Sequence, residues 1–315
     1  MDAQAGFPLR ALGIGEIFDR AITIYVRNFV IFTLIVLTIL VPLSVAEYFV
    51  LPDQSAELTQ LIDQIQHPAS AAKQTKALDA LAPRRLLVLA VMILALALIA
   101  PFANNAVAIG VAAVYAGKRP DYRASYATAL RRWPKVLGTA ILEGLIIFSV
   151  YAGGVVAVTM LMTIGILFAR IALPVAVILF ILTIVGFFAL ILLLVVLLIM
   201  YAFGIYAVAL ENVGIRRAIA ESVSRVFDRG EFGKALLMGL AIVAIQFGAL
   251  SISSTLGLLA LFVAKSYSLQ IAISALSNAV VTAFLAVIFA VYYFDVRTRR
   301  EGLDLEADLA RLTPA

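Results

Sequence analysis

The chain has 315 residues, 64% hydrophobic and only 14% charged, with a net charge of +5 and a mean hydropathy of +1.08. Soluble domains carry about 45–50% apolar and about 25% charged residues, so this chain has too little polar surface to cover a water-soluble core. The absence of cysteine and the single histidine, His67, exclude disulfides, thiolate metal sites, cysteine nucleophiles and histidine clusters.

The expected class is an all-α polytopic membrane bundle, because an isolated segment in lipid must satisfy its own backbone by forming a helix. A crossing takes about 20 apolar residues for about 30 Å of hydrocarbon. In chain order, residues 13–28 read as an amphipathic helix, with Ile14, Ile17, Phe18, Ala21 and Tyr25 on one face and Glu16, Arg20, Thr23 and Arg27 opposite. A first span follows at 29–50. The segment 51–85 carries four acids, four bases and His67 and reads as an external loop. The second span, 86–115, follows Arg84 and Arg85 and contains Asn104 and Asn105.

Residues 121–133 form the second amphipathic segment. Tyr122, Tyr126, Ala129, Leu130 and Trp133 recur at helical spacing, with Ser125, Thr128, Arg132 and Lys135 on the other side. The apolar stretch 136–210 is too long for one crossing and is interrupted by Arg170 and Pro174. It reads as spans at 136–160 and 182–209, either as two long tilted helices or as two helices with a short interfacial piece. Glu143 lies about two turns into the first of these. The third amphipathic segment, 214–229, sets Ile215, Ala218, Ile219, Val223, Val226 and Phe227 against Arg217, Glu221, Arg225 and Asp228. Lys265, Ser266 and Ser268 divide the last apolar stretch into spans at 235–262 and 270–294.

Six spans in a single membrane domain, 1–315, put three-quarters of the 24 basic residues on one side. The positive-inside rule then places both termini in the cytoplasm. No cleavable signal segment is expected, because the first apolar run starts late and lacks a basic leader. The layout of amphipathic helix, span, turn and span recurs three times at a spacing of about 100 residues. Basic amphipathic helices suit the headgroup layer, with Arg20, Arg27, Arg131, Arg132, Trp133, Lys135, Arg225 and Arg229 as expected contacts to anionic headgroups. They also serve as elbows packed under their own bundle, and both readings stand at this point.

Both ends carry longer patterns. Gly15-Glu16-Ile17-Phe18-Asp19-Arg20-Ala21 is followed by Tyr25-Val26-Arg27-Asn28-Phe29, and the chain closes on Tyr292-Tyr293-Phe294-Asp295-Val296-Arg297-Thr298-Arg299-Arg300-Glu301-Gly302. With Leu210-Glu211 and the 218–230 segment, these resemble a bacterial membrane family named for the membrane domain of glycerophosphoryl diester phosphodiesterases. The matched positions include Gly15, Glu16, Asp19, Arg20, Glu211, Asp295, Arg297, Glu301 and Gly302. The resemblance implies a multi-span plasma-membrane protein. It does not imply phosphodiesterase activity, which in the family's multidomain members resides in a separate barrel domain that the roughly 20 residues after the last span would not hold.

Ionisable and amide groups at membrane depth are costly and face protein or water. Glu143, Asn104 and Asn105 therefore form the candidate intramembrane polar cluster, either as a cavity for a proton or small solute or as interhelical hydrogen bonds. Gln246, Ser251, Ser253 and Ser254 line the fifth span, and Ser274, Ser277 and Asn278 the sixth; these read as packing groups. An intramembrane serine protease would need a membrane histidine, and an aspartyl one two membrane aspartates. The sequence supplies neither, so no catalytic set, metal site or cofactor is expected, and no nucleic-acid partner. The functional expectation is a non-catalytic membrane module that organises lipid or protein partners through its basic cytoplasmic belt, with a docking role open to the C-terminal tail. A small-solute or proton-coupled transporter centred on Glu143 is the alternative.

Overall fold

The computed structural model describes residues 10–50, 90–91, 94, 99–228, 230–264 and 266–302. Among them the fold is all-α. The helices are α1 (Ile14–Arg27), α2 (Phe29–Val50), α3 (Ile99–Tyr115), α4 (Tyr122–Phe168), α5 (Leu173–Glu211), α6 (Ile215–Phe227), α7 (Phe232–Ala264) and α8 (Tyr267–Glu301). Five of them, α2, α4, α5, α7 and α8, are long and apolar enough to cross a membrane. The expected span at 86–115 lies partly outside the described residues, and the 51–85 loop and Arg229 lie wholly outside them.

The break expected at Arg170 and Pro174 is present and resolves 136–210 into two long helices. The chain turns over residues 169–172, and Pro174 sits in the first turn of α5, where a missing N–H costs no helical hydrogen bond. At the other end of α5, Asn212 adopts a left-handed conformation (φ 54°), and its N–H donates to the Val208 carbonyl at 3.1 Å. Asparagine tolerates that region better than most residues, so the helix stops there.

The second amphipathic segment is not a separate helix, which corrects the expectation for 121–133. It runs without interruption through Pro134 into a helix of 47 residues. Contacts on both sides of the proline hold the rod together: Arg132 donates to the Ala209 carbonyl, and Lys135 Nζ reaches Asn212 Oδ1 at 3.1 Å. At 1.5 Å per residue, α4 is about 70 Å long, more than twice the hydrocarbon thickness.

The chain divides into two compact units. The first draws its described residues from Asp19–Leu130 and Ile245–Ile288. Ala21, Ile24 and Tyr25 of α1 are buried there with Phe32, Ile35 and Val36 of α2 and Ala106, Val107 and Val111 of α3. Gly110 lets α3 approach closely, since a Cβ at this position would fall 2.8 Å from the Phe32 ring. The Tyr25 hydroxyl bonds the Val280 carbonyl (2.9 Å) and the Thr33 hydroxyl (3.1 Å), and burial pushes this phenol above its ordinary pKa.

The second unit draws its described residues from 10–18, 131–244 and 289–302. An aromatic cluster centres it: the Phe203 ring lies 5.1 Å from Tyr292 and 5.3 Å, edge-on, from Tyr293. Such arrangements satisfy the ring quadrupoles. The α4–α5 hairpin is closed by small residues, with Gly154 seated under Leu190 and Gly165 against Leu179. Its outer surface, including Phe148, Met160, Ile171, Leu173 and Phe188, is exposed and apolar. An exposed apolar face of this extent is suited to lipid and not to water.

Two amphipathic segments depart in part from the simple expectation. In α6 the buried stripe is Ala218, Ser222, Arg225 and Val226, while Val223 and Phe227 are exposed. At the start of α4, Ser125 and Ala129 are buried and Leu130 is 65% exposed. Arg225 and Ser125, from the expected polar faces, turn toward protein together with Ser222, and Val223, Phe227 and Leu130 turn outward, while Ala218, Val226 and Ala129 stay on the buried side as expected. Where the surroundings are apolar, polar groups gain by turning inward to find hydrogen-bond partners.

Candidate functional site

Three polar assemblies stand out, all within the second unit. The first is Glu143, on α4, which is fully buried. Its Oε1 accepts a hydrogen bond from the Ser222 hydroxyl of α6 at 2.8 Å, and its Oε2 has no partner among the described residues. The carboxylate lies directly on the backbone of Gly204 in α5, and a Cβ there would overlap it. Three helices thus contribute an acid, a hydroxyl and a vacant side-chain position. One carboxyl with one hydroxyl can take up or release a proton.

The second assembly is a charged network at the end of α5. Arg225 is only 6% exposed. It donates to Glu211 at 3.0 Å and to the Tyr293 hydroxyl, which itself donates to Glu211. Glu221 and Glu301 approach the same guanidinium at 3.2 and 3.6 Å. Arg297 pairs with Glu301 at 2.8 Å and lies 3.6 Å from Glu211, and Arg217 holds Glu221 at 2.6 Å. Three cations therefore meet three carboxylates. Burial pulls the Arg225 guanidinium down, but Tyr293, Glu211 and Glu221 outweigh that and hold it above its ordinary value. For Glu221, burial raises the carboxyl, yet the Arg217 hydrogen bond and the Arg225 charge bring it below 4.5.

The third assembly clamps the peptide of Leu12 ahead of α1. Asp295 Oδ1 accepts the Leu12 N–H at 2.6 Å, while Arg299 and Lys234 donate to the Leu12 carbonyl at 2.6 and 2.8 Å. Lys234 also pairs with Asp295, and Arg299 Nε lies 3.3 Å from it. Glu16 then caps α1 by accepting the Gly13 N–H at 2.8 Å, the reciprocal half of a capping box.

The terminal motif residues therefore have structural roles for the most part. Glu16 caps a helix, Asp295 anchors the N-terminal segment, and Glu211, Arg297 and Glu301 belong to one network. Gly302 takes a left-handed φ of 62° after α8, which glycine adopts without strain. Asp19 is exposed. No neighbour crowds Gly15, and nothing in the structure explains the glycine there.

The expected headgroup contacts separate into groups. Arg27, Arg131 and Lys135 are exposed. Arg20 is half-buried over the Tyr115 ring, 5.9 Å from its centroid, Trp133 is half-buried, and Arg132 is half-buried on the Ala209 carbonyl. Arg225 is not a surface residue at all, because three carboxylates hold it inside. Of the expected polar cluster, Asn104 is half-buried and Asn105 fully buried, with neither end of the Asn105 amide partnered among the described residues. Both belong to the first unit, and Glu143 to the second.

Ser222, Gly204, Tyr293 and Lys234 were not singled out from sequence. The one available signal was Gly204, a glycine inside a helix rich in bulky aliphatic residues. Among the described residues no group of three or more His, Asp or Glu side chains could hold a metal ion. Comparison with protein-family models, curated proteins and solved structures returns no match. The family resemblance accordingly rests on the sequence motifs quoted above.

Proposed function

We propose that this chain is a non-catalytic module of a bacterial plasma membrane, crossing it six times with both termini in the cytoplasm, whose basic belt holds anionic lipid headgroups. The supporting observation is where the free-standing cations lie. Arg27 is exposed between Val26 and Val30, which are 66% and 64% exposed. Arg131 is exposed next to Leu130. A cation beside a protruding aliphatic side chain suits the level where hydrocarbon meets headgroups. Each basic residue near an anionic surface contributes about 1 kcal/mol. Arg225 and Lys234 are taken up by carboxylates inside the protein, which leaves these exposed cations to face outward.

The test is the lipid that stays with the protein through purification. Mass spectrometry of the wild type should show phosphatidylglycerol enriched over phosphatidylethanolamine relative to the source membrane. The triple variant Arg27→Gln, Arg131→Gln, Lys135→Gln should lose that enrichment. Equal lipid ratios in both proteins would remove the basis of the reading.

Glu143 supports a second reading, proton exchange within the bundle, because a fully buried carboxylate with one unpartnered oxygen is suited to binding a proton. A proton flux in liposomes that is abolished in folded Glu143→Gln would favour it over the scaffold reading.

A further inference from the structure

The first unit contains two adjoining cavities that the belt does not use. One, of about 370 Å³, is walled by aliphatic side chains of α2 and α8, with Leu37, Val41, Val45 and Leu276 among them. The other, of about 390 Å³, lies between α7 and α8 and collects the hydroxyls of Ser253, Ser254 and Ser274 with the amides of Gln270 and Asn278. Ser44, Ile271 and Ala275 belong to both walls. The two chambers therefore adjoin along a shared edge. Gly257 faces the polar one: a Cβ there would fall 3.4 Å from Gln270 Cγ and 3.6 Å from Ser274 Oγ, so α7 and α8 come close at that level.

The chemistry of the walls is specific. None of the described residues lining the polar chamber is Asp, Glu, Lys, Arg or His. A charged group entering it would give up its hydration without a counter-ion, which is strongly unfavourable. A small polar solute would leave the aliphatic chamber unused. Hydroxyls and amides suit a headgroup that both donates and accepts hydrogen bonds, as a polyol or sugar does. Each chamber falls in the range of about 300–1,000 Å³ typical of ligand pockets.

We infer that α2, α7 and α8 form a binding site for one membrane amphiphile with an uncharged, hydroxyl-rich headgroup, its headgroup among Ser253, Ser274, Gln270 and Asn278 and an acyl chain along Val41 and Val45. Ser253, Ser274 and Asn278, which the sequence presents as packing groups, are on this account headgroup contacts, joined by Gln270. The site does not depend on the basic belt, and its selectivity is the opposite: neutral here, anionic there.

Native mass spectrometry of the purified full chain tests this with two probes of matched acyl chains, monoglucosyl dioleoylglycerol and dioleoylphosphatidylglycerol. The glucolipid should give a saturable one-to-one adduct at least tenfold tighter than any adduct of the phosphatidylglycerol that survives neutralisation of Arg27, Arg131 and Lys135. Ser274→Leu, which fills the polar chamber, and Val41→Trp, which fills the aliphatic one, should each weaken it at least tenfold. Should either variant fail to fold, a second readout uses the absence of native cysteine. Asn278→Cys, at an exposed position, should be alkylated by maleimide at least fivefold more slowly with the glucolipid than with phosphatidylglycerol. Equal adducts for the two lipids, or labelling unaffected by the glucolipid, would overturn the inference.

Discussion

Replacing Arg225 with methionine is the sharpest test of the packing account. The side chain is almost fully buried and faces Glu211 at 3.0 Å, Glu221 at 3.2 Å and Glu301 at 3.6 Å. Removing one partner from a buried ion pair costs about 3–5 kcal/mol, because the carboxylates left behind are desolvated and uncompensated. Here Arg297 still holds Glu301 at 2.8 Å and Arg217 still holds Glu221 at 2.6 Å, so the lower end applies, about 3 kcal/mol. At about 2–4 °C per kcal/mol for a body of 150–250 residues, the melting temperature in detergent should fall by about 6–12 °C. Circular-dichroism melting of purified wild type and Arg225→Met reads this directly. Adding Glu211→Gln to Arg225→Met should recover part of the loss, since Glu211 loses its nearest cation and keeps only the Tyr293 hydroxyl and Arg297 at 3.6 Å. A melting temperature within about 2 °C of wild type would refute the reasoning and return Arg225 to the lipid-facing set.

Three further outcomes follow from the same contacts. Gly204→Ala should destabilise the protein by about 1–3 kcal/mol through overpacking on the Glu143 carboxylate, and Glu143→Ala in the same chain should relieve most of it; a wild-type melting temperature in Gly204→Ala would show that the carboxylate does not rest there. Asp295→Ala should release Leu12, so that amide hydrogen exchange over residues 12–17 accelerates at least tenfold, with exchange in the middle of α5 unchanged. Because the folded Glu221 carboxyl lies below 4.5, its contribution is complete above the unfolded value and is lost as pH falls through the folded one. The melting temperature should therefore drop on acidification from about pH 5 downward, and less steeply in Glu221→Gln; identical slopes would exclude Glu221 as a contributor.

Helix existence was legible because apolar runs and their interruptions obey bilayer length: the turn over residues 169–172, and the end of α7 at Ala264 with the start of α8 at Tyr267, fall where the hydropathy breaks. Register was less legible. An amphipathic stripe read by hydrophobicity assumes that apolar residues face protein, and in α6 and early α4 that holds for Ala218, Val226 and Ala129 but not for Val223, Phe227 and Leu130. Ser222 and Arg225 turn inward because Glu143 and Glu211, on other helices, wait for them there. Those partners are 79 and 14 residues away in sequence, and no local period records such pairings. Pro134 shows the same dominance of distant contacts. Its local preference is to break a helix, but the anchoring of Arg132 and Lys135 on the end of α5 overrides that preference. The terminal motifs were recognisable as strings, whereas their meaning, a clamp on Leu12 and one charged network, emerges only when α8 is laid beside the N-terminal segment.

The belt itself can be examined through the one tryptophan of the chain, Trp133, which is half-buried beside Arg132 and two residues from Arg131 and Lys135. Competition quenching in bilayers containing phospholipids brominated near the headgroup end of the acyl chain compares lipid classes at that position. The account predicts that brominated phosphatidylglycerol quenches Trp133 at several-fold lower mole fraction than brominated phosphatidylcholine, that the difference shrinks with salt, and that it vanishes in Arg131→Gln, Lys135→Gln. Equal quenching by the two lipids in the wild type would contradict it.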